Sequence, residues 1–168
     1  MKYSHINEDK IELVVNELNI LLADYHIYYQ NLRTYHWNIL GKNFFDLHVK
    51  FETLYIDARE KIDEIAERIL TLRFHPLSKT SQYLEISNIK EADLALTDTD
   101  MVDRIIENHK SILQQMTHVF KQAANIGDEG TVDLIGAYIR ELEKQTWMLN
   151  AWSHKTNDGL KMSKMPTK

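Results

Sequence analysis

The chain has 168 residues, of which 43% are hydrophobic, and this length and apolar content suit one domain with its own core. It contains no cysteine, which excludes disulfide bonds, thiolate catalysis and cysteine-ligated zinc. Its formal net charge of −5 argues against a broadly basic nucleic-acid binder and favours cation chemistry.

Two long amphipathic helices are predicted in the first half of the chain. The first runs over residues 8–38, because its apolar side chains recur every three or four positions. Gly41 lies in the break that follows and is a typical helix stop. We expect Asn43 to cap the second helix, which is predicted over residues 44–72 and must end before Pro76.

The second half of the chain predicts two more long helices and one short one. A short helix is expected near residues 81–86, inside a long connection. The third long helix is predicted over residues 98–124 and the fourth over residues 131–154, with a tight turn between them. Residues 155–168 form a polar tail that contains lysine.

The lengths of the connections indicate how these helices are arranged. Short turns join antiparallel neighbours, whereas the connection over residues 77–96 is long enough to cross the bundle and let two helices run parallel. The sequence therefore predicts an all-α fold, a ferritin-like four-helix bundle with one long crossover connection that contains a short helix. Residues 1–154 would form this single domain.

Two pairs of candidate metal ligands lie on the second predicted helix. His48 and Glu52 are four residues apart, and so are Asp63 and Glu67. Residues at this spacing lie on one face of a helix, one turn apart, and can share a metal ion. From His48 to Asp63 the helix turns by a net angle of only about 60° but advances about 22 Å. The two pairs of one chain therefore cannot hold the same ion.

A two-fold axis near the middle of this helix would bring the two pairs together. Two antiparallel copies would place His48 and Glu52 of one chain opposite Asp63 and Glu67 of the other, which makes two equivalent sites. His36, near the end of the first helix, would add a second imidazole to each site. Two imidazoles and three carboxylates suit iron(II) or manganese(II), with zinc as a competitor.

Simpler explanations exist for the same residues. Charged residues four apart are common on solvated helix faces, and Glu60, Lys61 and Glu64 show that this helix is densely charged. A single histidine such as His36 is more often a hydrogen-bonded core residue. A metal site inside one bundle is poorly supported, because bundle-internal di-iron proteins use Glu-x-x-His and no histidine here follows that pattern.

Three segments carry these residues in a specific pattern. They read Tyr35-His36-Trp37-Asn38, Asn43-Phe44-Phe45-Asp46-Leu47-His48 and Asp63-Glu64-Ile65-Ala66-Glu67-Arg68. Together with Glu52, their residue types and their spacings of 12, 4, 11 and 4 resemble the Dps family, the ferritin-like "DNA-binding proteins from starved cells". The resemblance covers about residues 8–154.

The resemblance implies a fold, an assembly and an activity. It implies a hollow shell of twelve subunits, ferroxidase sites with at most two iron ions at the two-fold interfaces, and an iron(III) mineral inside. Hydrogen peroxide would be a favoured oxidant, and DNA would be protected from oxidative damage. His36, His48 and Glu52 would come from one subunit, and Asp63 and Glu67 from its partner. Many family members have aspartate in place of Glu52, which leaves the geometry of the second iron position open.

The resemblance also suggests roles for residues outside the ligand set. Trp37 and Trp147 would flank the site; we expect Trp147 to pack, whereas Trp37 either packs or takes up oxidising equivalents. Asp128, Glu129 and Asp133 lie at the turn and the start of the fourth helix, a region that lines three-fold pores in the family and would focus iron(II) inward. The alternative is ordinary capping of a helix N-terminus by acidic residues; for Asp133 we favour the pore.

The ends of the chain bear on DNA binding and location. The extended lysine-rich N-terminal arm of the DNA-binding family members is missing, but residues 155–168 carry four lysines against one aspartate. Twelve such tails would bind DNA weakly through many phosphate contacts, although a solvated tail is the simpler interpretation. The alternative function is therefore a nucleoid protein that acts mainly by multivalent DNA contact. The polar N-terminus and the lack of a long apolar run predict a cytoplasmic protein, with nucleoid association if DNA is bound, and no membrane contact.

Overall fold

Four long helices and one short helix make up the part of the chain that the computed structural model describes, residues 8–94 and 96–153. In chain order they are α1 (Glu8–Asn38), α2 (Phe44–Thr71), α3 (Thr80–Ile86), α4 (Asp98–Ile126) and α5 (Glu129–Ser153). Helix α1 packs against α2 and α4, α4 packs against α5, and the short α3 lies on α1. The predicted all-α bundle with a short helix in its crossover is confirmed. Within the described ranges, no helix is long and apolar enough to cross a membrane.

The predicted helix boundaries are accurate to within two residues wherever the structure describes them. Helix α4 runs two residues further than predicted and ends where Gly127 adopts a left-handed conformation, with φ of 72°. Helix α5 begins two residues earlier than predicted, at Glu129. The predicted end of the last helix at residue 154 and the tail over residues 155–168 lie outside the described residues.

The apolar stripes found in the sequence form the core. Along α1 the predicted apolar repeat is buried, apart from a partly exposed Tyr29, at Ile11, Val14, Val15, Leu18, Leu21, Leu22, Tyr25, Tyr28, Leu32 and Tyr35. On α2, Leu47, Phe51 and Leu54 are buried in the same way. Full burial of one such side chain stabilises a protein by about 1.5–3 kcal/mol, so the α1 stripe is a large contribution to the stability of the bundle.

Buried polar side chains on α1 hold the crossover in place. Asp24 accepts hydrogen bonds from the Ser87 hydroxyl at 2.9 Å and from the Asn88 backbone N–H at 2.6 Å. Asn31 accepts from the Ala92 backbone N–H at 2.8 Å. Burial raises the pKa of Asp24, although these hydrogen bonds act in the opposite direction. The crossover therefore follows a fixed path along α1 rather than looping freely.

The turn between α1 and α2 differs in one detail from its prediction. Gly41 has φ of 100°, which fits its predicted role as a helix stop. Asn43 occupies the N-cap position of α2, but its side chain makes no capping hydrogen bond. Its amide Nδ2 instead donates to Asp98 Oδ2 at 2.6 Å. The predicted cap is thus wrong, because the side chain ties this turn to the start of α4.

Candidate metal centre

His36 and His48 form a tightly packed pair at the junction of α1 and α2. His36 lies in the last turn of α1 and is only 9% exposed, while His48 lies near the start of α2. The two rings stack, with centroids 3.8 Å apart and planes inclined by 21°. The turn between α1 and α2 therefore brings both predicted imidazole ligands together within one subunit.

Reciprocal hydrogen bonds fix the orientation of both rings. His36 Nδ1 donates to the His48 backbone carbonyl at 2.8 Å, and His48 Nδ1 donates to the His36 carbonyl at 2.9 Å. A carbonyl oxygen only accepts, so each Nδ1 carries a hydrogen, and in the neutral form of each ring the lone pair lies on Nε2. This is the tautomer a metal-binding histidine needs, with its second nitrogen held by the backbone.

Aromatic neighbours pack on both sides of the histidine pair. The Phe44 ring stacks on His48 with centroids 4.9 Å apart, and the Tyr55 ring meets His36 edge-on at 5.3 Å. Phe44 is the first residue of α2 and lies one turn before His48, so the helix itself sets this contact. The ligand orientation therefore rests on packing as well as on hydrogen bonds.

Glu52 lies one turn beyond His48 on α2 and is half-buried. The Tyr55 hydroxyl donates to Glu52 Oε1 at 3.2 Å. Desolvation, and then the neighbouring Glu52 carboxylate, raise the pKa of Tyr55. Tyr55 thus touches His36 and orients Glu52, a role that sequence reasoning missed. The signal that could have found it is a hydroxyl three residues after a candidate ligand, on the same helix face.

Asp63 and Glu67 lie further along the same helix, and both are exposed. Since α2 is one continuous helix, Asp63 stays about 22 Å from His48 along the axis. Within residues 8–94 and 96–153 of one chain, no three histidine or acidic side chains are grouped so that they could hold a metal ion. A site that uses all five residues therefore requires a second copy of the chain, and the two-fold arrangement stays a prediction.

The two tryptophans that were expected to flank the site are both open to solvent in the subunit. Trp37 is 59% exposed, and the Arg33 guanidinium lies 4.6 Å above its ring. Trp147 is 57% exposed, so it does not pack into the core of its own subunit. The packing expected of Trp147 therefore stays a prediction.

The acidic residues at the start of α5 divide into two groups. Asp128 is only 1% exposed, forms an ion pair with Arg68, and accepts from the Thr131 backbone N–H at 3.1 Å. It caps α5 and has no free face for a pore, so the predicted pore role does not hold for Asp128 and the capping alternative does. Glu129 and Asp133 are exposed. The pore hypothesis therefore rests on these two residues.

Comparison with known proteins agrees with the fold and the sequence pattern. A family model for ferritin-like domains matches residues 15–158. The "DNA protection during starvation protein 2" of Bacillus anthracis is 40% identical, and the match covers 83% of this chain and 95% of the relative. The corresponding protein of Porphyromonas gingivalis is 37% identical, over 92% of this chain and 98% of the relative.

A solved structure gives the same assignment. A Dps protein from Vibrio cholerae O1, described as a member of a broad superfamily of ferritin-like diiron-carboxylate proteins, is 44% identical and superposes with a TM-score of 0.85. The match covers 88% of this chain and 92% of that chain. The fold and these comparisons thus define a ferritin-like helical bundle. The chain belongs to the Dps family of these proteins.

Proposed function

We propose that this protein oxidises iron(II) to iron(III) at sites shared between two subunits and stores the product as a mineral inside a hollow shell of twelve subunits. The observation that carries the proposal is the histidine pair. Both Nδ1 atoms of His36 and His48 are held by backbone carbonyls, which leaves both Nε2 atoms as ligands. Mixed imidazole and carboxylate donors suit iron(II), and zinc or another divalent metal would compete.

Hydrogen peroxide is the oxidant that we propose. Two iron(II) ions, one peroxide and two protons give two iron(III) ions and two water molecules. Both electrons needed to reduce peroxide to water are supplied at one place, so no hydroxyl radical is released. A half-site of His36, His48 and Glu52 from one subunit, completed by Asp63 and Glu67 of the partner, would hold two iron(II) ions side by side as substrates.

Iron entry and the protection of DNA extend this proposal. Exposed carboxylates at Glu129 and Asp133 would attract iron(II) towards an opening between subunits. Relatives bear the name "DNA protection during starvation", and removal of iron(II) and peroxide is sufficient to protect DNA without contact. The alternative, a protein that acts mainly by multivalent DNA binding, depends on residues 155–168, which lie outside the described part of the chain.

The test compares iron oxidation in the purified apo-protein with that in a double variant. Iron(II) followed by peroxide is expected to give rapid formation of iron(III) and a soluble amber core in the wild type. His36→Ala/Asp63→Ala should slow oxidation to the background rate, whereas Glu60→Ala, an exposed carboxylate on the same helix, should not. Wild-type rates in the double variant would show that the site has been assigned to the wrong residues.

A further inference from the structure

A line of hydrogen bonds crosses the core of the bundle, separate from the candidate metal centre. Tyr28 on α1 and His109 on α4 are both fully buried, and the Tyr28 hydroxyl lies 2.6 Å from His109 Nε2. His109 Nδ1 lies 2.8 Å from the Thr146 hydroxyl on α5. That hydroxyl donates to the Leu142 backbone carbonyl at 2.7 Å. Three helices thus meet through one chain of polar groups.

The hydrogen bond from Thr146 to Leu142 determines the direction of the other two hydrogen bonds. The Thr146 hydroxyl has one hydrogen and gives it to Leu142, so it accepts from His109 Nδ1–H. Desolvation by burial, with the charge of Lys50 as a smaller cause, lowers the pKa of His109 to about 3, and the ring is therefore neutral. His109 Nε2 then has a free lone pair and accepts the hydroxyl hydrogen of Tyr28.

This arrangement gives Tyr28 a neutral, fully buried imidazole as its partner. The hydroxyls of Tyr138 and Tyr55 donate instead to the carboxylates of Glu64, which is exposed, and Glu52, which is half-buried. Loss of one electron makes a phenol strongly acidic, so a tyrosine in an apolar core is oxidised readily only if a base can take its proton. Tyr28 has such a base within hydrogen-bond distance. Tyr25 is equally buried and its hydroxyl has no partner. Tyr83 donates to the Leu77 carbonyl, which is not a base.

We propose that Tyr28 is a reversible one-electron donor and that His109 is its proton acceptor. Tyr28 thereby reduces oxidising species that the metal centre produces and does not consume. The proposal rests on the proposed ferroxidase function. When a site holds a single iron(II), peroxide yields iron(III), hydroxide and a hydroxyl radical. The radical takes one electron from Tyr28 and becomes hydroxide, while the Tyr28 proton moves to His109 Nε2. The products are a neutral tyrosyl radical and an imidazolium ion.

The step reverses when iron(II) next becomes available. One electron from iron(II) reduces the tyrosyl radical, the proton returns from His109, and iron(III) remains. Since the proton moves only along one hydrogen bond and stays in the core, no water has to enter the bundle. Tyr28 is thus regenerated, whereas an aromatic side chain that lost its proton to solvent would react further.

Aromatic contacts lead from the candidate metal centre towards this pair. The His36 and Tyr55 ring centroids are 5.3 Å apart, and those of Tyr55 and Tyr29 are 6.1 Å apart. Tyr29 is the neighbour of Tyr28 on α1. Tyr28 itself precedes His36 by eight residues on the same helix, an axial distance of about 12 Å. Packed rings therefore lead from His36 to Tyr29, and the last step passes from Tyr29 to its sequence neighbour Tyr28. The proton moves separately, to His109.

Freeze-quenched samples examined by electron paramagnetic resonance test the proposal. Shells loaded with less than one iron(II) per site are mixed with excess peroxide, and iron oxidation is followed in the same samples. We expect a neutral tyrosyl radical that disappears in Tyr28→Phe, falls at least tenfold in His109→Gln, and persists in the matched control Tyr25→Phe. In wild-type protein labelled with ¹⁵N-histidine, the radical should couple to one imidazole nitrogen, a readout that needs no variant.

A second oxidant separates this proposal from the ferroxidase function. Azidyl radicals produced by pulse radiolysis oxidise tyrosine without iron, and in the apo-shell they should give the same Tyr28 radical. If iron is oxidised but the radical persists in Tyr28→Phe, or shows no histidine coupling, the proposal is overturned. If iron is not oxidised at all, the ferroxidase function fails, and the azidyl experiment alone decides whether Tyr28 is the donor.

Discussion

Asp128 provides a sharp test of how α5 is anchored, since two roles were conceivable for it and they predict different defects. Its carboxylate is buried, pairs with the Arg68 guanidinium, and accepts hydrogen bonds from the Thr131 backbone N–H and, at 2.5 Å, from the Thr131 hydroxyl. Asp128→Ala removes the carboxylate and all of these interactions, and it leaves the largely buried Arg68 guanidinium without its counter-ion. Removing one partner of a buried ion pair costs about 3–5 kcal/mol.

That loss should be visible as a large drop in thermal stability. For a chain of this size each kcal/mol shifts the unfolding temperature by about 2–4 °C, so Asp128→Ala should lower it by about 6–20 °C. The assay is thermal unfolding followed by circular dichroism, at one protein concentration because assembly also contributes to stability. The exposed Asp133→Ala, five residues later, is the matched control and should change the free energy of unfolding by no more than about 0.5 kcal/mol. Equal stabilities of the two variants, with slower iron entry in Asp128→Ala, would instead favour the pore role and refute the cap.

Two further predictions concern the centre and the core. Tyr55→Phe keeps the ring on His36 but removes the hydrogen bond to Glu52, which is worth about 0.5–1.5 kcal/mol. The initial rate of iron oxidation should therefore fall about two- to tenfold, while the control Tyr83→Phe keeps the wild-type rate. Equal rates in the two variants would mean that Tyr55 does not position Glu52. Because the pKa of His109 is about 3 in the fold and 6.5 ordinarily, the unfolded chain binds the extra proton between these values, and stability should fall as pH falls through this window. This one group changes the free energy of unfolding by about 1.4 kcal/mol per pH unit. Urea unfolding at pH 6 and pH 4 should therefore show a weaker pH dependence of that free energy in His109→Gln than in wild type. An unchanged dependence would contradict a neutral buried His109.

The sequence was sufficient for the helices, because they follow from short-range spacing. The pairing of candidate ligands on one helix face has the same local origin, and their binding of metal stays a prediction. The apolar repeat of α1 and the four-residue spacing of His48 and Glu52 are properties of neighbouring turns, which the helix geometry converts directly into faces. The role of Gly41 as a helix stop could be predicted for the same reason, since it depends only on the backbone conformations open to glycine.

Roles that depend on partners distant in the chain could not be predicted. Asn43 was expected to cap α2, but its partner is Asp98, fifty-five residues away. For Asp128 the sequence left a pore role and a capping role open, and its partner Arg68 lies sixty residues earlier. Likewise, a lone His109 in the sequence gives no sign of Tyr28. In each case the partner comes from a helix that is distant in the chain, and the local sequence does not indicate which polar residue that helix will bring close.

The central claim is that one iron-oxidising site is built from two subunits, and mixed shells test it most directly. His48→Ala and Glu67→Ala, each alone, damage every site. In a two-fold dimer that contains one chain of each, one site carries both substitutions and the other carries none. With random pairing half of the dimers are mixed, so about one quarter of all sites should be intact.

Shells co-assembled from these two variants should therefore recover about one quarter of the wild-type rate of iron oxidation. Shells that combine His48→Ala with Glu52→Ala are the control, because these residues belong to the same half-site and no pairing restores an intact site. Recovery in the first mixture alone is the predicted result. If the mixture of His48→Ala and Glu67→Ala is no more active than either variant alone, the site is not shared across a two-fold interface.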